Sequence, residues 1–202
     1  MPNLILFEGT DGSGKTTLIN NFKNFLEKKK KTCQIIDKLS IDTAKSITSV
    51  YNKAELHKLT EIYLRVAREF SKINAIDNSY DYIIIDRAII SLISTINIYG
   101  FKTEEFDAVI NKIIEHYDIY STVFCCPPFE IARKRIEERA LTTKTPLSKK
   151  EQKGFEYNKM IYDNLVSLSQ NKKITGNQVL IIDSHENNEE QCLKLVTEFY
   201  KE

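Results

Sequence analysis

Histidine is scarce in this chain of 202 residues: His57, His116 and His185 are scattered and read as surface residues, so no catalytic histidine is expected. Cysteine is equally uninformative for chemistry. Cys33, Cys125, Cys126 and Cys192 show neither metal-type nor C-x-x-C spacing, and free thiols are expected, the adjacent pair falling on opposite faces of one strand. No apolar run reaches membrane-spanning length, and the N-terminus lacks the basic-then-apolar layout of a signal peptide, so a cytoplasmic protein without a membrane partner is expected. There is also no excess of one charge. With 29 basic against 28 acidic residues the net charge is +1, which supplies no field to gather nucleic acid, so partners must be recognised locally. Low-complexity linkers and repeats are missing too, and the length suits a single domain over residues 1–202.

Glycine is sparse overall, at six residues, yet Gly9, Gly12 and Gly14 fall close together. Gly9-Thr10-Asp11-Gly12-Ser13-Gly14-Lys15-Thr16 fills every fixed place of the phosphate-cradling pattern G-x-x-x-x-G-K-[ST], between the apolar run Leu4-Ile5-Leu6-Phe7 and a helical pattern from about Thr16. Backbone N–H groups of such a loop wrap an anion, the helix that follows adds its positive end, and Lys15 brings charge to the outer phosphates. The loop therefore predicts ATP binding through Gly9, Gly12, Ser13, Gly14, Lys15, Thr16 and Thr17, with Thr16 as a Mg²⁺ ligand.

Five strand-length apolar segments, at residues 3–8, 33–37, 82–86, 120–125 and 178–183, alternate with helical patterns. That alternation predicts an α/β fold with a five-stranded parallel sheet flanked by helices on both faces. The longest helical pattern carries Leu56, Leu59, Tyr63, Val66, Phe70 and Ile73 as a core-facing stripe, its charged face being solvated except where Arg65 and Arg68 turn inward. The basic run Lys28 to Lys31 closes the first helix, where cations suit the dipole. Between Leu141 and Gly154 the pattern breaks into Thr, Lys, Pro and Ser, which predicts a lid segment at about 140–154.

Ile83-Ile84-Ile85-Asp86-Arg87 delivers a carboxylate and a guanidinium to the carboxyl end of a strand, the edge where parallel sheets bind ligands. Asp86 then holds Mg²⁺ and Arg87 clamps a phosphate; the alternative is a helix N-cap followed by a surface arginine. Further on, Arg135 and Arg139 lie one turn apart on a helix entering the lid, where they can neutralise a transferring phosphoryl group or simply pair with Glu138 and its neighbours. Arg133 faces elsewhere.

Together these segments resemble the thymidylate kinase family of P-loop nucleoside monophosphate kinases along the whole chain. Phe7-Glu8-Gly9-Thr10-Asp11-Gly12-Ser13-Gly14-Lys15-Thr16-Thr17 is similar to that family's opening F-E-G-x-D-G-x-G-K-T-T, and Asp86-Arg87 with Ser91 resembles its D-R-Y-x-x-S segment. Pro128 to Arg139 resembles the helix leading to its lid, and Ile181-Ile182-Asp183-Ser184 its last strand and adenine-side loop. The resemblance implies the P-loop kinase fold, Mg-ATP as donor, a small-molecule nucleotide as acceptor, most simply dTMP, and a homodimer as one form of assembly. It implies Asp11 near the acceptor sugar, Arg87 on the acceptor phosphate, Arg68 beside the acceptor base, and Leu64 where the family stacks an aromatic on thymine. With Gly12-Ser13 and no arginine in the loop, catalytic charge comes from the lid, as in bacterial-type members. The departures fall in the acceptor pocket. Asp37-Lys38-Leu39-Ser40-Ile41 replaces T-R-E-P-G and keeps only a cation, Lys38; Ala88 replaces the tyrosine of D-R-Y; Leu92-Ile93-Ser94-Thr95 lacks base-reading groups; and the lid lacks D-R-x-E.

A monophosphate acceptor needs no strong general base, because its oxygen is already ionised. A nucleoside or other small-molecule hydroxyl needs one, and Asp37 at the end of the second strand is the first choice, Asp11 the second. A nucleotide-dependent switch or binding protein is the third reading. No N-K-x-D motif supports it, and Asp86 is followed by arginine instead of a second acid that could activate water.

Overall fold

A computed structural model describes residues 2–37, 46, 49, 57–117, 120–143, 147 and 151–201. Its five strands are β1 (Asn3–Gly9), β2 (Cys33–Ile36), β3 (Tyr82–Asp86), β4 (Tyr120–Cys125) and β5 (Gln178–Ile182), all parallel, in the order β2-β3-β1-β4-β5. Helices α1 (Lys15–Lys28), α2 (Lys58–Asn74), α3 (Ile89–Ile98), α4 (Asp107–Tyr117), α5 (Phe129–Thr142), α6 (Phe155–Ser169), α7 (Lys172–Thr175) and α8 (Glu189–Phe199) cover the two faces. Each strand predicted from the sequence is present to within one residue at either end.

Two apolar clusters show why the central strands are continuous hydrophobic runs. Leu4 and Leu6 of β1, Ile83 and Ile85 of β3 and Phe124 of β4 point into one cluster shared with α2, α3, α4 and α6. Their neighbours Ile5, Phe7, Tyr82, Ile84, Val123 and Cys125 point into the other, shared with α1 and α8. Side chains alternate across a strand, so one seven-residue segment feeds both cores. At about 2 kcal/mol for each fully buried aliphatic side chain, these central strands supply much of the force that holds the sheet. Cys125 and Cys126 do fall on opposite sides, and all four cysteines are free.

The stripe on α2 differs from the expected one. Ile62 and Val66 are buried together with Arg68, Glu69 and Lys72, whereas Tyr63 is 57% exposed; Leu59, Phe70 and Ile73 are partly buried and pack on the core, and Leu56 lies outside the described residues. The charged side of the helix turns inward at its C-terminal half because it abuts the end of β3, where backbone carbonyls need donors. Helix α1 ends at Lys28, as the basic run indicated. Helix α5 continues through Thr142, shortening the expected lid at its start, and Glu151–Lys153 forms a 3₁₀ turn before α6; residues 144–146 and 148–150 lie outside the described residues. Among the described residues no helix is long and apolar enough to cross a membrane.

Candidate active site

Strand order reverses about β1, which has β3 on one side and β4 on the other, and a crevice opens at the carboxyl ends of these strands. A cleft of about 800 Å³ occupies it. Its floor is the Gly9 to Thr17 loop. Gly14 is the N-cap of α1 at φ 82°, so the loop's N–H groups and the positive helix end face the cleft.

Two glycines are dictated by neighbouring backbone. A Cβ on Gly12, at φ 75°, would lie 2.2 Å from the carbonyl oxygen of Ala132 in α5; on Gly9, at φ 142°, it would lie 2.4 Å from that of Cys125 at the end of β4. The loop thus packs directly on α5 and the central sheet. The hydroxyls of Thr10 and Ser13 are buried in it with no hydrogen-bond partner among the described residues, as expected of a cradle shaped for acceptor oxygens from outside the protein.

Lys15 is 5% exposed and ion-pairs with Asp86 at the end of β3. Burial, then the nearby Arg87 charge, lowers its pKa from 10.5, against the opposing pull of Asp86. Asp86 therefore does not cap α3: the N-cap is Ala88, which has no side-chain cap of its own. Glu8 takes that role from β1. Wholly buried, it accepts the N–H of Ala88 at 2.7 Å, the N–H of Ser91 at 3.2 Å and the hydroxyl of Ser91 at 2.6 Å. Both residues belong to matched motifs, but sequence spacing gave no sign that they touch.

Arg87 has φ 59°, in the left-handed region, and its N–H donates to the carbonyl of Phe7 at 2.9 Å. This turn brings its guanidinium to the P-loop carboxylate Asp11, at 2.5 Å. Burial opposes the charge of Arg87, but Asp11, Glu8 and Asp86 outweigh it and raise its pKa above the ordinary arginine value. Arg87 is not the detached surface arginine of the alternative reading. Arg68 also lines the cleft, packed with Glu69 at 3.1 Å, and Asp37 lines it at the end of β2.

On the other side, Arg135 donates to the hydroxyl of Ser184 at 2.7 Å, to its carbonyl at 2.8 Å and to the carbonyl of Gly12 at 3.4 Å, while Ser184 donates to the carbonyl of Ser13 at 3.0 Å. Arg135 is thereby a brace between the loop and the end of β5. Arg139, one turn further, also lines the cleft and pairs with the buried Glu151 at 2.7 Å. Arg133 pairs with Glu137 away from the cleft, as the helix spacing requires.

The structure thus gathers Asp11, the phosphate loop, Asp37, Arg68, Asp86, Arg87, Arg135 and Arg139 around one cleft. Leu64 is not brought there: it is half-buried on α2 and is absent from the lining, because the turn of helix that faces the cleft is that of Arg68 and Lys72. Lys38 lies outside the described residues. Among the described residues no cluster of three or more His, Cys, Asp or Glu forms a metal cage. Thr16 and Asp86 instead offer two hard oxygen donors beside the phosphate loop, a set that suits Mg²⁺, which takes its remaining ligands from water and phosphate.

No curated protein matches the chain. The family model described as thymidylate kinase matches residues 7–192, from the end of β1 into α8, and takes in every element of the cleft. The chain belongs to the thymidylate kinase family, whose members transfer a phosphoryl group from ATP to nucleoside monophosphates.

Proposed function

We propose that the protein transfers the γ-phosphoryl group of ATP to a (deoxy)nucleoside monophosphate, with dTMP the first acceptor to test. The observation that carries this reading is that Arg87, presented at the end of β3, reaches Asp11 of the phosphate loop, so that its guanidinium and the loop border the same cleft. Two anion-binding centres then border one cleft of about 800 Å³. The triphosphate lies in the loop from Gly9 to Thr17, where amide N–H groups and Lys15 surround its β and γ oxygens. Lys15 leaves Asp86 for the phosphates, and its burial keeps water from weakening the new contact.

Arg87 holds the acceptor phosphate in line, Asp11 orients the acceptor sugar, and Arg68 borders the base. An acceptor oxygen attacks the γ-phosphorus while the bond to the β–γ bridging oxygen breaks, giving a nucleoside diphosphate and ADP. That oxygen is ionised near neutral pH, so the chain supplies no proton acceptor. Arg139 leaves Glu151 to meet charge on the equatorial oxygens, while Arg135 keeps the loop in register with Ser184. Thr16 and Asp86 would hold Mg²⁺, which draws charge from the phosphate oxygens when bound.

Asp37 supports a second reading. It lines the cleft from the end of β2, where it can take the proton of a nucleoside hydroxyl. An ADP-release assay over nucleosides and their monophosphates separates the two. The first reading expects turnover with a monophosphate, changed less than about threefold by Asp37→Asn. Turnover with nucleosides alone, abolished by Asp37→Asn, refutes it.

A further inference from the structure

We propose that Lys72 is a positioning residue for the acceptor phosphate: together with Glu8 it clamps the Arg87–Ala88 peptide and so fixes the direction in which Arg87 enters the cleft. The inference rests on the reading of Arg87 as the residue that holds that phosphate. Lys72, in α2, is 1% exposed, a burial that lysine rarely reaches without partners. Its ammonium lies 3.3 Å from both carboxylate oxygens of Glu69, donates to the carbonyl of Arg87, and reaches the carbonyl of Asp86 at 3.5 Å. The next atom pair along the chain is the N–H of Ala88, which donates to Glu8 at 2.7 Å. One peptide group is therefore held at its oxygen by a buried cation and at its nitrogen by a buried anion.

The position needs such a clamp. Arg87 sits at φ 59°, a region that residues with a side chain adopt only when their surroundings impose it. Bringing Arg87 to an ordinary φ turns its side chain and the Arg87–Ala88 peptide together about the N–Cα bond, which would break both bonds and swing the guanidinium off Asp11. Glu69 neutralises Lys72, and burial, its largest influence, lowers the lysine pKa against that pull. An ammonium spanning from a helix to two consecutive carbonyls at the strand end ties the acceptor side of α2 to the turn that presents both Asp86 and Arg87.

The test compares Lys72→Met, Lys72→Arg, Arg87→Ala and the double variant Lys72→Met/Arg87→Ala. Lys72→Met is expected to raise KM for the monophosphate about tenfold and to leave KM for ATP within about twofold. Lys72→Arg, which still donates to the carbonyl, restores KM to within about threefold of the parent. In the Arg87→Ala background Lys72→Met adds no more than about twofold, since it acts through Arg87. Losses that multiply in the double variant, or a KM for ATP that rises in step with that for the acceptor, overturn the proposal. If Lys72→Met does not fold, Lys72→Gln, which stays polar but is one atom too short to reach the Arg87 carbonyl, carries the same cycle.

A second readout separates failure of the clamp from failure of the kinase reading. In the unliganded protein, amide hydrogen exchange at Ala88 should speed up at least about tenfold in the variant while Ile84 in β3 stays protected. Unchanged exchange at Ala88 overturns the clamp whether or not any monophosphate is turned over.

Discussion

Removing Glu8 tests how the site is held from within the sheet. Its carboxylate is wholly buried and takes three hydrogen bonds from the first turn of α3, two from Ser91 and one from Ala88, itself fully buried. In Glu8→Ala the N–H of Ala88 is left unpaired, at about 1–3 kcal/mol, and the helix loses the cap that Glu8 supplies, at about 1 kcal/mol. With the space left by the missing atoms the expected loss is about 4 kcal/mol, a large share of the ~5–15 kcal/mol by which domains are stable. For a chain of this length that corresponds to a fall in Tm of about 8–16 °C. Glu8→Gln should cost far less, about 1–2 kcal/mol: its carbonyl can accept both N–H groups and its amide can donate to the Ser91 hydroxyl, so only charge assistance is lost. Urea unfolding followed by far-UV circular dichroism measures both. A loss below about 1 kcal/mol in Glu8→Ala would refute the capping role. Equal losses in the two variants would show that Glu8 acts through long-range charge on Arg87 and Lys72, not as a cap.

Gly12→Ala forces a Cβ against the Ala132 carbonyl, so the thermal shift given by a non-hydrolysable ATP analogue should vanish, with affinity down at least about tenfold. Lys15→Met should lower kcat about 10²–10³-fold in a steady-state assay while the circular dichroism spectrum of the folded protein is kept. Burial pushes the Cys125 thiol up from 9.0 to about 12, so between those values the unfolded chain loses a proton that the folded one keeps. Stability should therefore fall with pH above about 9, and Cys125→Ala should flatten that slope by up to about 1.4 kcal/mol per pH unit in urea titrations; an unchanged slope refutes the assignment.

The β1 run, the phosphate loop and the Ile83-Ile84-Ile85-Asp86 strand were legible because their signals are local: apolar runs of strand length and a fixed glycine-lysine spacing. The cationic face of α5 was legible for the same reason, through the one-turn spacing of Arg135 and Arg139, although only the folded chain shows that Arg135 spends its donors on Ser184 and Gly12. Lys72 and Glu69 were hidden. On a helical wheel they read as a solvated face, and only the approach of α2 to the strand end makes a buried ion pair useful there. Tyr63 misled in the opposite sense, since an aromatic at the right spacing reads as core while the helix is rotated to bury Ile62.

The central claim, that Arg87 and the phosphate loop flank a single phosphoryl transfer, is tested most directly by incubating the protein with Mg²⁺, ATP labelled in its γ-phosphate, and dTMP, then locating the label. The account predicts label in the β-phosphate of a nucleoside diphosphate, with Arg87→Ala reducing its formation at least about a hundredfold. Label found only as inorganic phosphate with every nucleoside monophosphate tried, or transfer unaffected by Arg87→Ala, would contradict it.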